Sequence, residues 1–464
     1  MEILRSGAWA DAPGEPSLLT RSREIPDVSF RAILDAFDGP RAVWTAPDEP
    51  AVVGCGAVAA ITVDGGEENR FDAVRDGADD LFAAFDTGAP TSAARPRLFG
   101  GFAFHDDHDP APPWEGFPSG YFFLPRVQVA RTDENVQLTV NAVAPEGTDA
   151  VEDDIDAVAE TIRELPAQGP VRDPPGVTDR RATTSRGAWR DQIGSALERI
   201  GRGGLTKVVL AQALEVTLAD ELSVPDALAR LRSTYPDCYR FMIDCTGRDD
   251  ATDETRSDTV GRSGPTLFGA TPERLVSLSG RQIRTEGLAG STGRGDTPEE
   301  DEWLAQELLE SEKDIHEHDL VVDAVRDQLA PFADSVRTGQ RTVRKLDTVQ
   351  HLQTPIAAEL TDVEHVLGLV EALHPTPAVG GLPPDLAWRT IRETETFDRG
   401  WYAAPVGWFD AAGNGTFAVA IRSAVADGTN ATLFAGAGIV ADSDPDREWD
   451  EVQLKYRPML DTLE

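Results

Sequence analysis

The chain has 464 residues, of which 81 are Asp or Glu and 43 are Lys or Arg, so its formal net charge at pH 7 is −38. A surface this negative repels phosphate backbones and anionic lipid headgroups, which argues against a nucleic-acid-binding or membrane-binding protein. Hydrophobic residues make up 40% of the chain, enough for a sizeable core, and the length is typical of two or three domains.

The first third of the chain has the pattern of a mixed α/β region. Alternating or β-branched runs predict strands at 41–44, 51–63, 96–104 and 127–144. Helical spacing of apolar residues predicts amphipathic helices over 72–85 and 150–165. Prolines and a glycine then interrupt every regular pattern. We therefore predict an N-terminal α/β region at 1–165, a linker at 166–187 and a C-terminal body at 188–464.

The C-terminal body begins with a predicted helix over 189–201 and returns repeatedly to strands. These strands are predicted at 207–218, 239–244, 266–269, 275–283, 402–409, 415–426 and 432–437. The longest helical pattern covers 298–329, and further helices are expected from about Val363 and Asp444. A polar segment at 246–264 is predicted to be a mobile loop. Strands and helices without regular βαβ alternation favour an α+β fold with largely antiparallel sheets.

Lysine is almost absent from the basic residues, since it occurs only at Lys207, Lys313, Lys345 and Lys455. An acidic surface nearly without lysine favours solubility in concentrated salt, where screening weakens repulsion between like charges. We therefore expect a halophilic protein. With no apolar run of the roughly 18 residues that span a bilayer and no signal peptide in the first ten residues, we also expect a cytoplasmic location.

Three cysteines, Cys55, Cys238 and Cys245, form no C-x-x-C pair. Their odd number and their spacing predict neither a disulfide framework nor a structural zinc site.

The last predicted helix places two carboxylates and an ammonium side by side. Glu448, Glu451 and Lys455 are separated by three, four and seven residues, so they share one helical face. A solvated ion pair explains this spacing equally well, because such pairs are common on exposed helices. A lysine retained in a chain that uses arginine nearly everywhere else favours a functional role.

A second carboxylate group occurs in the long helical pattern, where Glu310, Asp314 and Glu317 are predicted to share one face. Clustered carboxylates suit Mg²⁺, which prefers oxygen ligands and keeps several waters. A solvated acidic face is the alternative in a chain this acidic. His316 and His318 do not favour zinc, because histidines two residues apart on a helix point in different directions and H-E-x-x-H is absent.

Lys207 enters an apolar, β-branched strand, where it is either a surface lysine with a buried stem or a desolvated amine that acts as a base. Glu273 follows Pro272 at a strand end and is weak evidence alone.

Two glycine-rich segments, 287–293 and 436–440, lack the Lys-Ser or Lys-Thr of a P-loop, so nucleotide binding is not supported. Their backbone amides could approach a small carboxylate ligand, or the glycines could simply form turns.

Taken together and in this order, these segments resemble the chorismate-utilising enzymes, which include isochorismate synthase, salicylate synthase, anthranilate synthase component I and aminodeoxychorismate synthase. The resemblance covers about residues 189–464. It rests on Lys207-Val-Val-Leu-Ala, Ala270-Thr-Pro-Glu-Arg, Glu312-Lys-Asp with His316-Glu-His, Leu373-His-Pro-Thr-Pro-Ala-Val-Gly-Gly, Gly400-Trp-Tyr-Ala-Ala-Pro-Val-Gly-Trp, Ile421-Arg422, and Gly436-Ala-Gly with Glu448-Trp-Asp-Glu451 and Lys455. In the N-terminal region, Phe99-Gly-Gly-Phe-Ala-Phe104 is similar to a segment of the isochorismate synthases.

The resemblance implies an α+β fold with sheets packed face to face and helices outside. Family members that add water resemble this chain in having lysine at the position of Lys207, whereas ammonia-adding members usually have glutamine there. The implied activity is the Mg²⁺-dependent conversion of chorismate to isochorismate, without a glutamine amidotransferase subunit and with menaquinone favoured over siderophore synthesis. Salicylate synthase and anthranilate synthase component I remain as alternatives.

The resemblance also implies roles for individual residues. Glu317 and Glu451 would hold Mg²⁺, with Asp314 and Glu448 close by through water. Lys207 would activate water and Glu273 would donate a proton to the leaving C4 hydroxyl. The implied substrate contacts are Arg422 on the enolpyruvyl carboxylate, backbone amides of Gly290, Gly436 and Gly438, a pocket lined by His374, Thr376 and Ala378, and a carboxylate contact from Lys455.

Overall fold

A computed structural model describes residues 2–5, 17–66, 69–83, 85–86, 92–144, 149–166, 169–245 and 264–464. The segment predicted as a loop at 246–264 lies, apart from its last residue, outside the described residues. Within the described residues, no helix is long and apolar enough to cross a membrane. The predicted cytoplasmic location stays a prediction.

The described residues form ten α-helices and 22 strands. The helices are α1 Phe30–Ala36, α2 Arg70–Ala83, α3 Asp149–Glu164, α4 Arg186–Gly201, α5 Val224–Thr234, α6 Pro298–Glu310, α7 Glu312–Leu329, α8 Val366–Leu373, α9 Pro384–Thr394 and α10 Pro445–Leu463. The strands are β1 Glu2–Arg5, β2 Ser17–Ile25, β3 Arg41–Thr45, β4 Ala51–Val63, β5 Phe85–Asp86, β6 Arg97–Phe102, β7 Gly120–Arg131, β8 Val136–Ala144, β9 Val177–Ala182, β10 Lys207–Leu218, β11 Tyr239–Asp244, β12 Thr266–Thr271, β13 Arg274–Ser279, β14 Gln282–Gly293, β15 Ala333–Thr338, β16 Thr342–Lys345, β17 Val349–Leu360, β18 Gly381–Leu382, β19 Pro405–Asp410, β20 Gly415–Val419, β21 Ser423–Asp427 and β22 Asn430–Ile439.

The strands form one hydrogen-bonded network in which β2 with β5 is the single parallel pairing among the described residues. This confirms the predicted α+β fold with largely antiparallel sheets. Strands of the N-terminal region pair directly with strands of the C-terminal body, β3 with β11 and β6 with β19. Buried side chains of both regions, such as Trp44, Trp114, Trp189 and Trp401, belong to one core cluster. The two regions therefore share a sheet network and a core.

The predicted linker at 166–187 contains strand β9, which pairs with β10. The side chains of β9 are almost all exposed, which explains why its sequence lacks the apolar pattern of a strand. The division into domains stays a prediction.

Strand β10 positions the cleft described below, since it begins at Lys207 and pairs along most of its length with β22. Its first eight residues are all buried, which accounts for the near-continuous apolar run in the sequence. Helix α7 packs against β14, and helix α10 packs against β22. These two helices therefore face the sheet beside the start of β10.

Four predicted elements are each broken in two, and one of them is the strand predicted over 127–144, which forms β7 and β8 with residues 132–135 between them. The helix predicted over 298–329 is interrupted at Ser311, whose hydroxyl accepts a hydrogen bond from the Asp314 amide at 3.3 Å and caps α7. The strand predicted over 275–283 turns at Gly280, whose φ is +59°. The strand predicted over 415–426 stops before Arg422, whose φ is +51°. Apolar periodicity is insensitive to these breaks, because a cap or a turn residue changes the backbone without changing the pattern of burial.

Candidate active site

Most of the predicted functional residues lie in one cleft made of two adjoining cavities. The outer cavity has a volume of about 870 Å³ and lies between α6, α7 and α10. The inner recess, of about 60 Å³, is lined by residues that include Glu273, Ala378 and Arg422. Both cavities share Glu317, Gly438 and Glu451. Ligand pockets usually measure roughly 300–1,000 Å³, a range that includes the outer cavity and not the recess by itself.

Lys207 forms a buried ion pair with Glu317, which lines both cavities of this cleft. Its side chain is 1% exposed, and its Nζ lies 2.9 Å from Oε1 of Glu317 on α7. Burial raises the pKa of the Glu317 carboxyl, but the nearby ammonium groups, led by Lys207, outweigh burial and lower it. The alternative of a surface lysine with a buried stem is therefore wrong for Lys207.

The glycines predicted to contact substrate give room to the charged side chains. A Cβ at Gly438 would lie 2.6 Å from Oε1 of Glu317 and 3.1 Å from Cε of Lys207. Gly290 has a φ of +74°, and a Cβ there would lie 3.2 Å from the Cβ of Asp314. The carbonyl of Gly436 accepts a hydrogen bond from Lys455 Nζ at 2.9 Å. Any role of their amides toward a substrate stays a prediction.

Seven carboxylates of the described chain line the outer cavity, and we call four of them the carboxylate cluster. These four are Asp314 and Glu317 on α7 and Glu448 and Glu451 on α10. Glu310, which the sequence placed on the same face as Asp314, lies on α6 instead because of the break at Ser311.

The carboxylate cluster is balanced by lysines. Lys313 Nζ lies 3.2 Å from Glu448 Oε1, and Lys455 Nζ lies 2.5 Å from Glu451 Oε1. Burial raises the pKa of Glu448, and the charge of Glu451 adds to that rise while Lys313 opposes it. Burial likewise raises the pKa of Asp314, against a hydrogen bond from Ser311. The pairing of Lys455 with Glu451 confirms the predicted helical-face contact.

The donor chemistry of the carboxylate cluster fits Mg²⁺, which takes oxygen ligands and is often held by one or two carboxylates and waters. Its oxygens are not gathered into a closed cage. Among the described residues, only His105, Asp106 and Asp107 bring three such ligand atoms within 4.8 Å of one another, and two of those side chains are exposed. An open arrangement of this kind suits a hydrated ion that also contacts a substrate.

Glu273 presents a carboxyl group of a different kind on the other side of the recess. It is 4% exposed. Burial raises its pKa to about 8, the charge of Glu286 adds to this rise, and Lys207 opposes it. Thr376 donates a hydrogen bond to Oε1 of Glu273 at 3.4 Å. Thr376, predicted to line the pocket, therefore holds the acid.

His351 and Ser291 are among the recess residues that the sequence analysis missed. Arg422 is buried and points an NH2 group at Nε2 of His351, 3.4 Å away, while Nδ1 of His351 lies 2.9 Å from Oγ of Ser291. Burial, with the charge of Arg422, lowers the pKa of His351 well below its usual value, so the imidazole is neutral. Ser291 and His351 are register partners on β14 and β17. Nothing in the sequence spacing reveals this pairing.

His374, predicted to line the pocket, is a lining residue of neither cavity. Its Nε2 hydrogen-bonds to the carbonyl of Phe104 at 2.9 Å, and its ring packs edge-on against the Phe104 ring. Burial, with the charge of Arg70, lowers its pKa to about 3. The described contacts of His374 are therefore with Phe104, and its predicted place in the substrate pocket stays a prediction. This contact also explains the Phe99–Phe104 motif of the N-terminal region.

Comparison with known proteins gives a consistent result. The profile of the family described as chorismate binding enzyme matches residues 7–464. The chain is 34% identical to isochorismate synthase MenF of Bacillus subtilis, covering 100% of this chain and 97% of that protein. It is also 34% identical to the salicylate biosynthesis isochorismate synthase of Pseudomonas aeruginosa, covering 99% of this chain and 93% of that protein. The structure of MenF, the menaquinone-specific isochorismate synthase from Escherichia coli, matches with a TM-score of 0.78 and 25% identity over 98% of this chain and 96% of that one.

Proposed function

The chain belongs to the chorismate-binding enzyme family, and from this premise we propose that it is a magnesium-dependent isochorismate synthase. Its reaction adds water at C2 of chorismate and releases the C4 hydroxyl, while the ring double bonds shift. Water enters and water leaves, so the product is an isomer of the substrate. The observation that carries the proposal is a buried lysine in contact with Glu317, a residue that lines the recess, together with a buried glutamate, Glu273, that lines the same recess and whose pKa burial raises to about 8.

Lys207 is the base that removes a proton from the attacking water. A base is needed because water is a weaker nucleophile than ammonia, and a side-chain amide at this position could not accept the proton. The base step requires an uncharged amine, whereas the contact with Glu317 at 2.9 Å stabilises the ammonium. We infer that this contact loosens when substrate is bound.

Glu273 is the acid that protonates the leaving C4 hydroxyl. A carboxyl with a pKa of about 8 is mostly protonated at neutral pH, so it can donate. Thr376, which donates to Oε1, fixes the orientation of the carboxyl group. The hydroxyl then leaves as water, and Glu273 is left as a carboxylate.

Substrate binding has to overcome the net charge of −38, because chorismate is a dianion. Arg422 and Lys455 supply local positive charge in the recess. A planar guanidinium suits a two-pronged grip on the enolpyruvyl carboxylate, which we assign to Arg422. Lys455 is assigned to a carboxylate of the substrate or of the metal site.

The carboxylate cluster would hold the magnesium ion, with Glu317 and Glu451 as direct ligands and Asp314 and Glu448 acting through water. When bound, Mg²⁺ supplies positive charge that neutralises the ring carboxylate and withdraws electrons from the ring. Because the nucleophile is water, the proposal includes no ammonia-supplying subunit. We further propose that the product feeds menaquinone synthesis, with a siderophore pathway as the alternative.

The test is product analysis in ¹⁸O-labelled water. Purified protein is given chorismate and Mg²⁺ in high salt, and the products are separated by chromatography. We expect isochorismate with one labelled hydroxyl at C2. Isochorismate without label, or no conversion, would contradict the proposal. Salicylate with pyruvate, or anthranilate formed only with ammonia, would instead identify the alternative family activities.

A further inference from the structure

The turn that presents Glu273 is held on both sides by charged side chains from neighbouring strands. Arg344 on β16 donates to the carbonyl of Pro272 at 2.7 Å. Glu286 on β14 accepts a hydrogen bond from the amide of Arg274 at 3.0 Å. The peptide groups immediately before and after Glu273 are thus each fixed by a side chain. Such fixation matters for an acid that must meet one substrate oxygen.

Glu286 is itself held in place. Its carboxylate accepts a hydrogen bond from the side-chain amide of Gln353 on β17, and Arg344 NH1 lies 3.6 Å from its Oε1. Its side chain is 10% exposed. Glu286 is a lining residue of neither cavity, so it contacts the turn rather than the space where a substrate binds.

Several charged or titratable groups act on Glu273 from the elements around it, and among them Glu286 supplies negative charge. After burial, the charge of Glu286 is the largest cause of the raised pKa of Glu273. Lys207 and Arg422 act in the opposite direction. The phenol of Tyr402 is also close, and burial raises its pKa to about 12, so it is neutral. These groups are Glu286 on β14, Lys207 on β10, Thr376 before β18, Tyr402 before β19 and Arg422 before β21.

We propose that Glu286 is a positioning residue for Glu273: it fixes the Pro272–Arg274 turn and places a second negative charge behind the proton donor. The inference rests on the proposed function, in which Glu273 donates a proton. Two carboxyl groups that share a buried site resist being ionised together. Glu286, which Arg344 and Gln353 hold as the charged member, therefore keeps Glu273 in the protonated form that catalysis requires.

The test is the pH profile of kcat for Glu286→Gln. Glutamine still accepts from the Arg274 amide, and Gln353 can rotate its own amide to match, but the charge is gone. The limb on which activity falls with rising pH should move down by about one unit, the usual size of a single neighbouring charge. At pH 9 the variant should then be about tenfold slower than wild type, and at pH 6 nearly equal to it.

Two further variants separate charge from position. Glu286→Asp keeps the charge but is too short to reach the Arg274 amide, so kcat should fall at every pH while the limb stays in place. Arg344→Gln removes the bond to Pro272 without removing negative charge, so it should lower kcat and not move the limb downward. Glu359→Gln, at an exposed position on the adjacent strand β17, is the matched control and should change neither kcat nor the pH at which activity falls.

The possible failures are distinguishable. If wild type makes no isochorismate, the proposed function fails, whatever the variants do. If wild type makes isochorismate and the limb of Glu286→Gln coincides with that of wild type, the inference fails alone. Should Glu286→Gln not fold, as judged by its thermal melt, Glu286→Asp decides, and an unchanged kcat in that variant overturns the inference.

Discussion

Two glutamates of the cleft, Glu317 and Glu273, have pKa values that are shifted in opposite directions. On one side, Glu317, Glu448 and Glu451 each lie within 3.2 Å of a lysine ammonium. On the other side, Glu273 faces a threonine hydroxyl and a second carboxylate, and its pKa is raised to about 8. Burial acts against the ionised carboxyl on both sides, so the neighbouring charge decides. Beside Lys207 the pKa of Glu317 is lowered, whereas the charge of Glu286 adds to the raised pKa of Glu273.

The lysines give the comparison its chemical meaning, because the chain has retained so few. All four form ion pairs with carboxylates, three of them in the cleft and the fourth, Lys345, with Asp301 on α6. The carboxylate cluster, which we propose to hold a metal ion, thus has its own counter-charges. Among the described contacts of Glu273, by contrast, no lysine lies within hydrogen-bonding distance of the carboxyl group.

The largest effect is expected for Lys207→Gln, which removes the base. Isochorismate formation should fall by about 10²- to 10⁴-fold, the usual contribution of a general base, while the amide of glutamine still donates to Glu317. Initial rates by chromatography and a thermal melt are the measurements. Lys345→Gln, which removes the lysine outside the cleft, serves as the control. Wild-type turnover in Lys207→Gln would refute its role as base.

A smaller effect is expected on the metal side from Glu448→Gln. The substitution removes one charge from the carboxylate cluster and leaves Lys313 without its ion-pair partner. The Mg²⁺ concentration for half-maximal rate should rise by about 10- to 100-fold, as for other residues that support a metal ligand. Calorimetric titration with Mg²⁺ gives a second readout. Asp450→Asn, an exposed residue lining the outer cavity, is the control, and equal Mg²⁺ requirements in both variants would contradict the assignment.

The acid side predicts a dependence on pH. Above pH 8, activity should fall by about tenfold per unit as Glu273 loses its proton. The pKa of Glu273 in the folded state is raised above its usual value. The contribution of Glu273 to the stability of the fold is therefore complete below about pH 4.5 and is lost as pH rises through about 8. In the variant Glu273→Gln, the side chain at this position cannot ionise. Thermal melts at pH 5 and pH 9 should therefore show a smaller decrease for this variant than for wild type.

The sequence predicted the carboxylate cluster better than the surroundings of Glu273, for a physical reason. Carboxylates three residues apart on a helix share a face whatever the rest of the fold does, so Asp314 with Glu317 and Glu448 with Glu451 could be grouped from spacing alone. Glu310 was assigned to the same helix because Ser311 interrupts the backbone but not the apolar pattern.

The acid side is assembled by strand register, which spacing does not encode. Glu286 and Arg344 belong to β14 and β16, and both of those strands pair with β17. The family resemblance supplied Glu273, but it did not supply the side chains that fix its turn. The positive φ of Arg422 likewise appears only once β20 and β21 are seen as separate strands. Residues brought together across a sheet are therefore those that a single sequence predicts least well.

The smallest effect should come from salt, which acts on the outer surface and not on the buried pairs. With a net charge of −38, the folded chain repels itself, and screening shortens the range of that repulsion from about 10 Å at 0.1 M salt to about 3 Å at 1 M. The melting temperature should therefore rise between these concentrations by about 1 °C for each kcal/mol of repulsion removed, since an unfolding entropy of about 2.1 cal/mol/K per residue amounts to about 1 kcal/mol/K over 464 residues. The buried contact of Lys207 with Glu317 is screened much less, so the same salt should leave the pH profile of kcat in place. A melting temperature that does not rise with salt would contradict the halophilic interpretation, and a pH profile that shifts with salt would show that the cleft is as open to ions as the surface.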